Sequence, residues 1–409
     1  MTVAPAGAGE ILFLCHRIPF PPDRGDKIRS FNILRQLAEI APVHVGCLAD
    51  DERDLTFAPA LEELTQSQLV LRRSGSRVAG GLRGLAKGQP LLVSLFDAPA
   101  MHDWVRRTLA ERPIRAVFAY SVQMANFVPV LPPDVRFLMD FVDFDSAKYA
   151  AYGAGKFGPM GWINRREGRK LLAFEREVAR RADVSTFVSE AEAAMFRDAT
   201  GAGLDRVRAL ENGVALDYFD PVAAFPPISR DAGPLIVFTG QMDYRPNVEA
   251  VESFARQSLP SIRERYPDAC FAIVGRGPSK AVLALRDLPG VLVTGSVDDV
   301  RGWLVAADVV VAPLRIARGI QNKVLEALAM ARPVVASSQA AEGIDAIHDL
   351  HLLVASSPEK EAPMVLSLLD DPHRAASLGQ SARERMIERY QWRHTLSALP
   401  ELVLGGPSA

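Results

Sequence analysis

The sequence predicts an α/β protein made of two doubly wound, Rossmann-like domains. Short apolar runs alternate with amphipathic stretches, a pattern typical of parallel sheets with helices on both faces. A proline-rich segment at 220–234 interrupts the alternation, which then starts again. The chain has 409 residues, a length that suits two cores better than one.

The first half contains short runs that predict buried strands, because they are rich in β-branched or aromatic residues and bounded by polar, glycine or proline residues. These strands are predicted at Ile11–Cys15, Val43–Leu48, Gln68–Leu71, Ala116–Ala119, Phe137–Asp140 and Val184–Val188. Apolar positions at helical spacing predict helices at Lys27–Ile40, Ala98–Glu111 and Trp162–Ala182.

The second half repeats the pattern. Strands are predicted at Leu235–Thr239, Cys270–Val274, Val291–Thr294, Val309–Ala312 and Pro333–Ala336, and helices at Asn247–Tyr266, Asp298–Ala307, Gln321–Ala331 and Glu361–Leu369. We expect a first domain at 1–219, a linker at 220–234, a second domain at 235–374, and a helical segment at 375–409 (periodic over Ala375–Leu404) that packs back across both domains. Ligands of such sheets bind beyond the carboxyl ends of the strands, so we expect a cleft site.

Composition and charge argue against several classes of protein. The net charge is -2, whereas a nucleic-acid-binding protein usually has an excess of basic residues. Three distant cysteines show no metal-ligand spacing and fit a reducing compartment. No run approaches the roughly 18–20 apolar residues that cross a bilayer, and the opening residues do not resemble a signal peptide. We therefore predict a cytoplasmic protein.

The first candidate binding loop follows the first strand. Gly25 lies between a double proline and a predicted helix, where its missing side chain lets the backbone approach a phosphate or sugar. The start of that helix offers free N–H groups to an anion. The alternative is an ordinary strand-to-helix loop. Lys27 and Arg29, at the start of the helix, are interpreted as exposed and solvated.

A second candidate follows the strand at Phe137–Asp140. From its end, Asp140 or Asp143 would project towards a ligand and accept hydrogen bonds from sugar hydroxyls. Asp143 and Asp145 also form a D-x-D triplet, which can hold a divalent cation but is common by chance, so no metal is predicted. A helix cap is the structural alternative.

The most informative segment is 318–336, in which a glycine-containing loop opens a helix that leads through Pro333 into a buried strand. Glu326 lies one turn into this helix, where its carboxylate can accept two hydrogen bonds from a ribose diol. Lys323 lies three residues earlier on the same face. Together with the N–H groups of the helix start, it can meet a diphosphate. The alternative is a solvated Lys/Glu pair.

Taken in order, these segments resemble the family 4 retaining glycosyltransferases, and within them the sugar transferases encoded with bacterial exopolysaccharide and exosortase (PEP-CTERM) gene clusters. The order and spacing of the set make it specific, and it spans most of the chain. The matching motifs are the Gly25 loop, Phe187-Val188-Ser189, Asn212-Gly213-Val214, Asp217, Phe219-x-Pro221, Phe238-Thr239-Gly240, Ile273-Val274-Gly275-x-Gly277, the Gly295 loop, Ala307-Asp308-Val309, Pro313-Leu314, Leu325-Glu326-Ala327 and Pro333-Val334-Val335.

The resemblance implies the GT-B fold, with two Rossmann-like domains facing across a cleft. It implies transfer of a hexose-like sugar, with retention, from a UDP- or GDP-linked donor to a saccharide or lipid-linked acceptor in exopolysaccharide biosynthesis. No metal and no cofactor besides the donor substrate are implied, because the leaving phosphate can itself take the acceptor proton. The protein then contributes positioning and electrostatic stabilisation.

Three positions depart from the family pattern. Glu326 matches the second of two glutamates separated by seven residues and is expected to bind the donor ribose, but the first is replaced by Arg318. Gln241 and Asn247 stand where the family places arginine and lysine on the diphosphate. A diphosphate leaving group needs positive charge, so these departures require a substitute.

We hypothesise that Lys323, supported by Arg245 or Arg318, supplies that charge. The expected catalytic residues are Asp140, Asp143 and Lys323, and the expected donor-binding residues are Gly25, Gly240, Arg245, Arg318, Gly319, Asn322 and Glu326.

Other functions stay open. The altered positions allow a catalytically silent GT-B subunit, and a sugar-nucleotide epimerase shares the two-domain architecture. A Rossmann oxidoreductase is disfavoured, because Lys280 stands where the fingerprint starting at Gly275 requires a small residue. Residues 156–181 carry eight Lys/Arg against three Glu beside apolar partners. This helix either makes peripheral contact with an anionic membrane at the inner face of the plasma membrane or is an ordinary surface helix.

Overall fold

A computed structural model describes residues 9–22, 24–73, 84, 88–155, 157–203, 205–226, 228, 232–317 and 319–405. The chain divides into two compact units, Met1–Glu211 with Leu396–Ala409, and Asn212–Thr395. Each unit contains one parallel sheet, so the predicted pair of Rossmann-like α/β domains is confirmed. The linker bounds at 220–234 stay a prediction.

The first unit contains a seven-stranded sheet. Its strands are β1 (Glu10–Cys15), β2 (Val43–Ala49), β3 (Ser67–Arg72), β4 (Ile114–Tyr120), β5 (Arg136–Val142), β6 (Val184–Phe187) and β7 (Val207–Ala209). They lie in the order β3-β2-β1-β4-β5-β6-β7, and each neighbouring pair is parallel. β7 was not predicted, because three residues are too few to show an apolar pattern.

The second unit contains a six-stranded sheet. Its strands are β8 (Leu235–Thr239), β9 (Cys270–Val274), β10 (Val291–Gly295), β11 (Val309–Ala312), β12 (Val334–Ser337) and β13 (Leu353–Ala355). They lie in the order β10-β9-β8-β11-β12-β13, all parallel. All five residues of β8 are buried, as expected of a central strand covered on both faces.

Helices connect the strands in both units. In the first they are α1 (Gly25–Ile40), α2 (Glu52–Leu55), α3 (Leu91–Phe96), α4 (Pro99–Glu111), α5 (Asp145–Gly153), α6 (Pro159–Arg181) and α7 (Glu190–Thr200). In the second they are α8 (Arg245–Ser253), α9 (Leu259–Arg265), α10 (Lys280–Leu283), α11 (Val300–Ala306), α12 (Asn322–Ala329), α13 (Ser338–Ala341), α14 (Glu361–Leu369), α15 (Pro372–Arg389) and α16 (Trp392–Thr395). α17 (Leu399–Leu404) returns to the first unit.

Two helical predictions differ in detail from the structure. The single helix predicted at Asn247–Tyr266 is α8 and α9 joined by a π-helical turn at Phe254–Ser258. Pro260 lacks an N–H and its ring would crowd the carbonyl four residues earlier, so the wider turn relieves the conflict. The helical pattern predicted over Ala375–Leu404 is divided among α15, α16 and α17.

Candidate functional site

The strand order of the second sheet changes direction beside β8. β9 and β10 lie on one side of this strand, and β11 to β13 lie on the other. The loops that leave β8 and β11 therefore diverge, and a crevice at their carboxyl ends is the usual ligand position in such sheets. Gly240 follows β8 directly, and α12 lies between β11 and β12.

Two glycines bring main-chain segments together at this edge. Gly275 has a φ of +149°, and a Cβ there would lie 1.7 Å from the Gly240 carbonyl oxygen. Gly240 has a φ of +155°, and its Cβ would lie 2.9 Å from Asn247 Nδ2 and 3.1 Å from Lys323 Nζ. A side chain at 275 would collide with the main chain of Gly240, and at 240 it would displace the ends of two side chains; the positive φ disfavours a side chain at both positions.

The Lys323 ammonium lies beside Gly240. Its Nζ is 2.5 Å from Asn247 Oδ1 and 4.4 Å from the centroid of the Phe238 ring. Asn247 is held in turn, because its Nδ2 donates to the Gln241 carbonyl oxygen at 2.8 Å. Sequence reasoning treated Asn247 only as a departure and missed this contact, which joins residues 76 positions apart.

Glu326 lies one helical turn after Lys323. Burial raises the pKa of the Glu326 carboxyl to about 7, although the positive charge of Lys323 acts to lower it. Burial also lowers the pKa of the Lys323 ammonium to about 7, although the negative charge of Glu326 acts to raise it. Both residues keep part of their surface exposed. Within the described ranges no group hydrogen-bonds the Glu326 carboxylate.

The other predicted donor residues of this unit differ in placement. Gly319, with a φ of +63°, lies in the loop before α12. Asn322 opens α12 and accepts a hydrogen bond from Asn212 Nδ2 at 3.2 Å. Arg245 begins α8, is exposed, and donates from Nε to a glutamate one turn later at 2.6 Å. Arg318 lies outside the described residues.

In the first unit, Gly25 is the first residue of α1. Ion pairs surround this helix start: Arg17 lies 2.8 Å from Asp26 and 2.7 Å from Asp50, and Arg24 lies 3.1 Å from Asp50. Burial acts to raise the pKa of the Asp26 carboxyl, but its basic neighbours hold that pKa well below the usual range. An ionised carboxylate in the first turn suits a sugar hydroxyl better than a phosphate, and the role of Gly25 stays a prediction.

The interpretation of Lys27 and Arg29 as solvated charges is wrong. Lys27 is 5% exposed, and its Nζ lies 2.7 Å from Asp54 Oδ1. Arg29 is 1% exposed and lies 2.9 Å from Asp140. Buried charges require partners, and these partners are 27 and 111 residues away in the chain, beyond the range of a local pattern.

Asp140 is the second correction, because its contacts leave no open oxygen for a sugar. The side chain is fully buried, Oδ2 accepts from Arg29, and Oδ1 accepts from the Val142 N–H at 3.0 Å. Burial raises the pKa of this carboxyl, and Arg29 opposes the change. Asp140 therefore holds the sheet to α1 and is a structural residue.

Asp143 is half-buried and stays a candidate for sugar binding. Asp145 begins α5, and burial raises the pKa of its carboxyl to about 6. Among the described residues, no group of three or more His, Cys, Asp or Glu side chains is arranged to hold a metal ion. In the same part of the chain, each helix is too short or too polar to span a bilayer.

Comparison with known proteins identifies the relatives of this chain. Residues 233–371 match the family model described as glycosyl transferases group 1. The chain is similar to the GDP-mannose-dependent alpha-(1-6)-phosphatidylinositol monomannoside mannosyltransferase of Mycobacterium tuberculosis, at 29% identity over 95% of this chain and 97% of the relative. The enzyme with that name from Mycolicibacterium smegmatis is 28% identical over 60% of this chain and 68% of the relative.

Solved structures share the fold. HepE of Anabaena, in complex with UDP and glucose, has a TM-score of 0.67 at 14% identity and covers 97% of this chain and 100% of that one. WaaG, a glycosyltransferase involved in lipopolysaccharide biosynthesis, has a TM-score of 0.64 at 17% identity. The match covers 97% of this chain and 100% of WaaG. The fold is that of the GT-B glycosyltransferases. The match to the group 1 glycosyl transferases lies in the second unit, at residues 233–371.

Proposed function

We propose that this chain transfers a hexose from a nucleoside-diphosphate sugar to a saccharide or lipid-linked acceptor, with retention and without an obligatory metal. GDP-mannose is the first donor to test, because the similar mycobacterial enzymes are named for it. The supporting observation is that Lys323, Asn247 and Gly240 meet at the edge of the second sheet, one helical turn from the partly exposed Glu326. A place in exopolysaccharide biosynthesis on the cytoplasmic side of the membrane is part of the proposal.

Lys323 is proposed to neutralise the leaving diphosphate. The resembling family places a lysine at position 247, and here the side chain of Asn247 touches the Lys323 ammonium at 2.5 Å. Here the positive charge is on α12, at Lys323, rather than on α8. It still lies within hydrogen-bond distance of residue 247, where the family has its lysine. A preorganised cation beside developing negative charge is among the largest single contributions to such catalysis.

Glu326 is proposed to hold the ribose of the donor. An ionised carboxylate accepts hydrogen bonds at both oxygens, which suits two neighbouring hydroxyls. Its position one turn from Lys323 matches the order of a nucleotide, in which the ribose adjoins the diphosphate.

The proposed reaction exchanges two bonds on one face of the sugar. The bond from the anomeric carbon to the donor phosphate oxygen breaks, and the acceptor oxygen bonds to that carbon on the same face. The acceptor proton passes to the departing phosphate. Protonated Lys323 stabilises the phosphate charge and keeps its own proton, while the rest of the site orients the two substrates.

Donor screening tests this proposal. The purified chain is incubated with GDP-mannose, UDP-glucose and ADP-glucose, and thermal unfolding and products are measured. A donor at about a hundredfold its Kd should stabilise the native state by about 2.7 kcal/mol. Glu326→Gln should lose this stabilisation, whereas Glu342→Gln, an exposed glutamate of the same unit, should keep it. No stabilisation by any donor, or an unchanged response in Glu326→Gln, would contradict the proposed site.

Products separate the alternatives. Stabilisation without transfer to any acceptor would favour a silent subunit, and conversion of the donor sugar without an acceptor would favour an epimerase.

Affinity for GDP should weaken as the pH rises above 7. Burial lowers the pKa of Lys323 to about 7, and the diphosphate binds the protonated form, so the free protein must take up a proton on binding. One linked proton weakens the affinity by up to about tenfold per pH unit. Calorimetry between about pH 7 and 9 measures the slope. Lys323→Arg should remove the slope, because a guanidinium stays charged; a pH-independent affinity in the unmodified protein would contradict the assignment.

A further inference from the structure

We propose that the beginning of α6 in the first unit is a docking surface for an anionic phospholipid bilayer. The surface, here called the α6 surface, consists of three exposed apolar side chains and three exposed cations. They are Phe157, Met160, Trp162, Arg165, Arg169 and Lys170. The inference rests on the proposed function only for its purpose, the presentation of a lipid-linked acceptor; its binding test needs no turnover.

Large apolar side chains are concentrated at this point. Phe157 is 99% exposed, Met160 66% and Trp162 53%, all within six positions. Single exposed apolar residues are ordinary, but a local group of them marks a surface that a partner covers. Tryptophan is enriched where protein meets the headgroup layer of a membrane, because its ring is apolar and its N–H is polar.

Two glycines before α6 stand clear of the neighbouring atoms. Gly155 has a φ of +63° and Gly158 a φ of +95°, and a Cβ at either position would meet no atom within 4 Å. The adjacent apolar side chains can therefore enter a lipid layer without displacing the core of the unit.

The charges of α6 are segregated along its length. Arg165, Arg169 and Lys170 are exposed, whereas Glu167 is buried, where it accepts hydrogen bonds from two N–H groups of α3. The first exposed acidic residue of the helix is Glu177. The exposed charges of α6 before Glu177 are therefore all positive, which suits an anionic partner.

A groove between α5 and α6 favours lipid as that partner. It has a volume of about 610 Å³ and is lined by Phe144, Trp162 and Leu172 together with Arg165 and Arg169, among others. Apolar walls beside guanidinium groups match an acyl chain and its phosphate. An acidic protein segment would use the cations but not the apolar groove.

Vesicle sedimentation tests the proposal with the full chain. We expect the protein to sediment with vesicles of phosphatidylcholine plus phosphatidylglycerol, to sediment less as salt is added, and to remain in solution with phosphatidylcholine alone. Each cation near an anionic surface contributes about fivefold in binding. Arg169→Glu/Lys170→Glu should therefore weaken binding by at least about 25-fold. Phe157→Ser/Met160→Ser should also weaken it.

Matched controls lie elsewhere on the first unit. Arg107→Glu/Arg112→Glu makes the same charge change at exposed positions of α4 and its end, and Val130→Ser removes a side chain that is 94% exposed. Neither control should alter sedimentation. No binding to the anionic vesicles, equal binding to neutral ones, or unchanged binding of both α6 variants would overturn the proposal. Vesicle binding without sugar transfer would leave it standing while the proposed function failed.

Discussion

Replacing Lys323 by glutamine should lower kcat about 10²–10³-fold, the loss that follows removal of one preorganised group from a site of developing charge. The Lys323 ammonium lies 3.1 Å from where a Gly240 Cβ would be and 2.5 Å from Asn247 Oδ1, so it is held at the edge where the diphosphate is proposed to bind. The fold should be unaffected, because glutamine fills similar space and has no charge to desolvate. Steady-state transfer assays measure kcat, and thermal unfolding monitors the fold.

Two further variants sharpen this test. Lys360→Gln removes an exposed lysine from the same unit and should leave kcat unchanged. Combining Lys323→Gln with Asn247→Lys returns a lysine to the position that the family uses and should restore part of the lost turnover. Wild-type kcat in Lys323→Gln would contradict the proposed role, and a rescue would show that the location of the charge matters more than the residue that carries it.

Replacing Asp140 by alanine should destabilise the first unit by about 3–5 kcal/mol, because it leaves the Arg29 guanidinium buried without its carboxylate. This loss of stability comes mainly from leaving the Arg29 charge buried without a partner, since the intact pair itself contributes little net free energy. Urea unfolding followed by circular dichroism measures the change.

The same pair supplies its own control. Replacing both Arg29 and Asp140 by leucine should lower the free energy of unfolding far less than Asp140→Ala does, because no unpaired charge remains. Equal unfolding midpoints for the unmodified protein and Asp140→Ala would refute the structural role.

Asp143→Ala, at a half-buried position after the same strand, separates sugar binding from stability. It should reduce the rate of sugar transfer while largely keeping the free energy of unfolding.

The family departures at 241 and 247 acquire a physical interpretation. Asn247 accepts from Lys323 and donates to the Gln241 carbonyl oxygen, so it links the start of α12 to the loop that follows β8. A lysine at 247 would instead place two ammonium groups within a few ångströms, a repulsion that grows where water is excluded. Asn247 and Lys323 are therefore compatible neighbours. In this pair Lys323 supplies the cation that the family places at position 247.

The strands were predictable because each is an apolar run whose pattern depends only on its own residues. β8 and β9 match their predicted bounds, and β11 matches as well. The short edge strands β7 and β13 were not predictable, because their assignment depends on a neighbouring strand with which to pair.

The candidate site was predictable only in part. The positions of Lys323 and Glu326 on one helix followed from sequence spacing, as did the glycine loop after β8. The contact between Lys323 and Asn247 did not, and neither did the burial of Arg29, which had been interpreted as a solvated charge at the start of a helix. Side chains that meet across many positions leave no periodic pattern.

By itself, the sequence determined the two α/β domains, their strand–helix alternation and the candidate helix at α12, since hydrophobic periodicity is a property of neighbouring residues. Only the tertiary structure decided which charges are paired and buried. It placed Asp140 on Arg29 and the ammonium of Lys323 on Asn247, and it moved the pKa values of Lys323 and Glu326 towards 7. Burial and pairing depend on the packing of distant segments, and that packing sets the solvation on which the charge of a side chain depends.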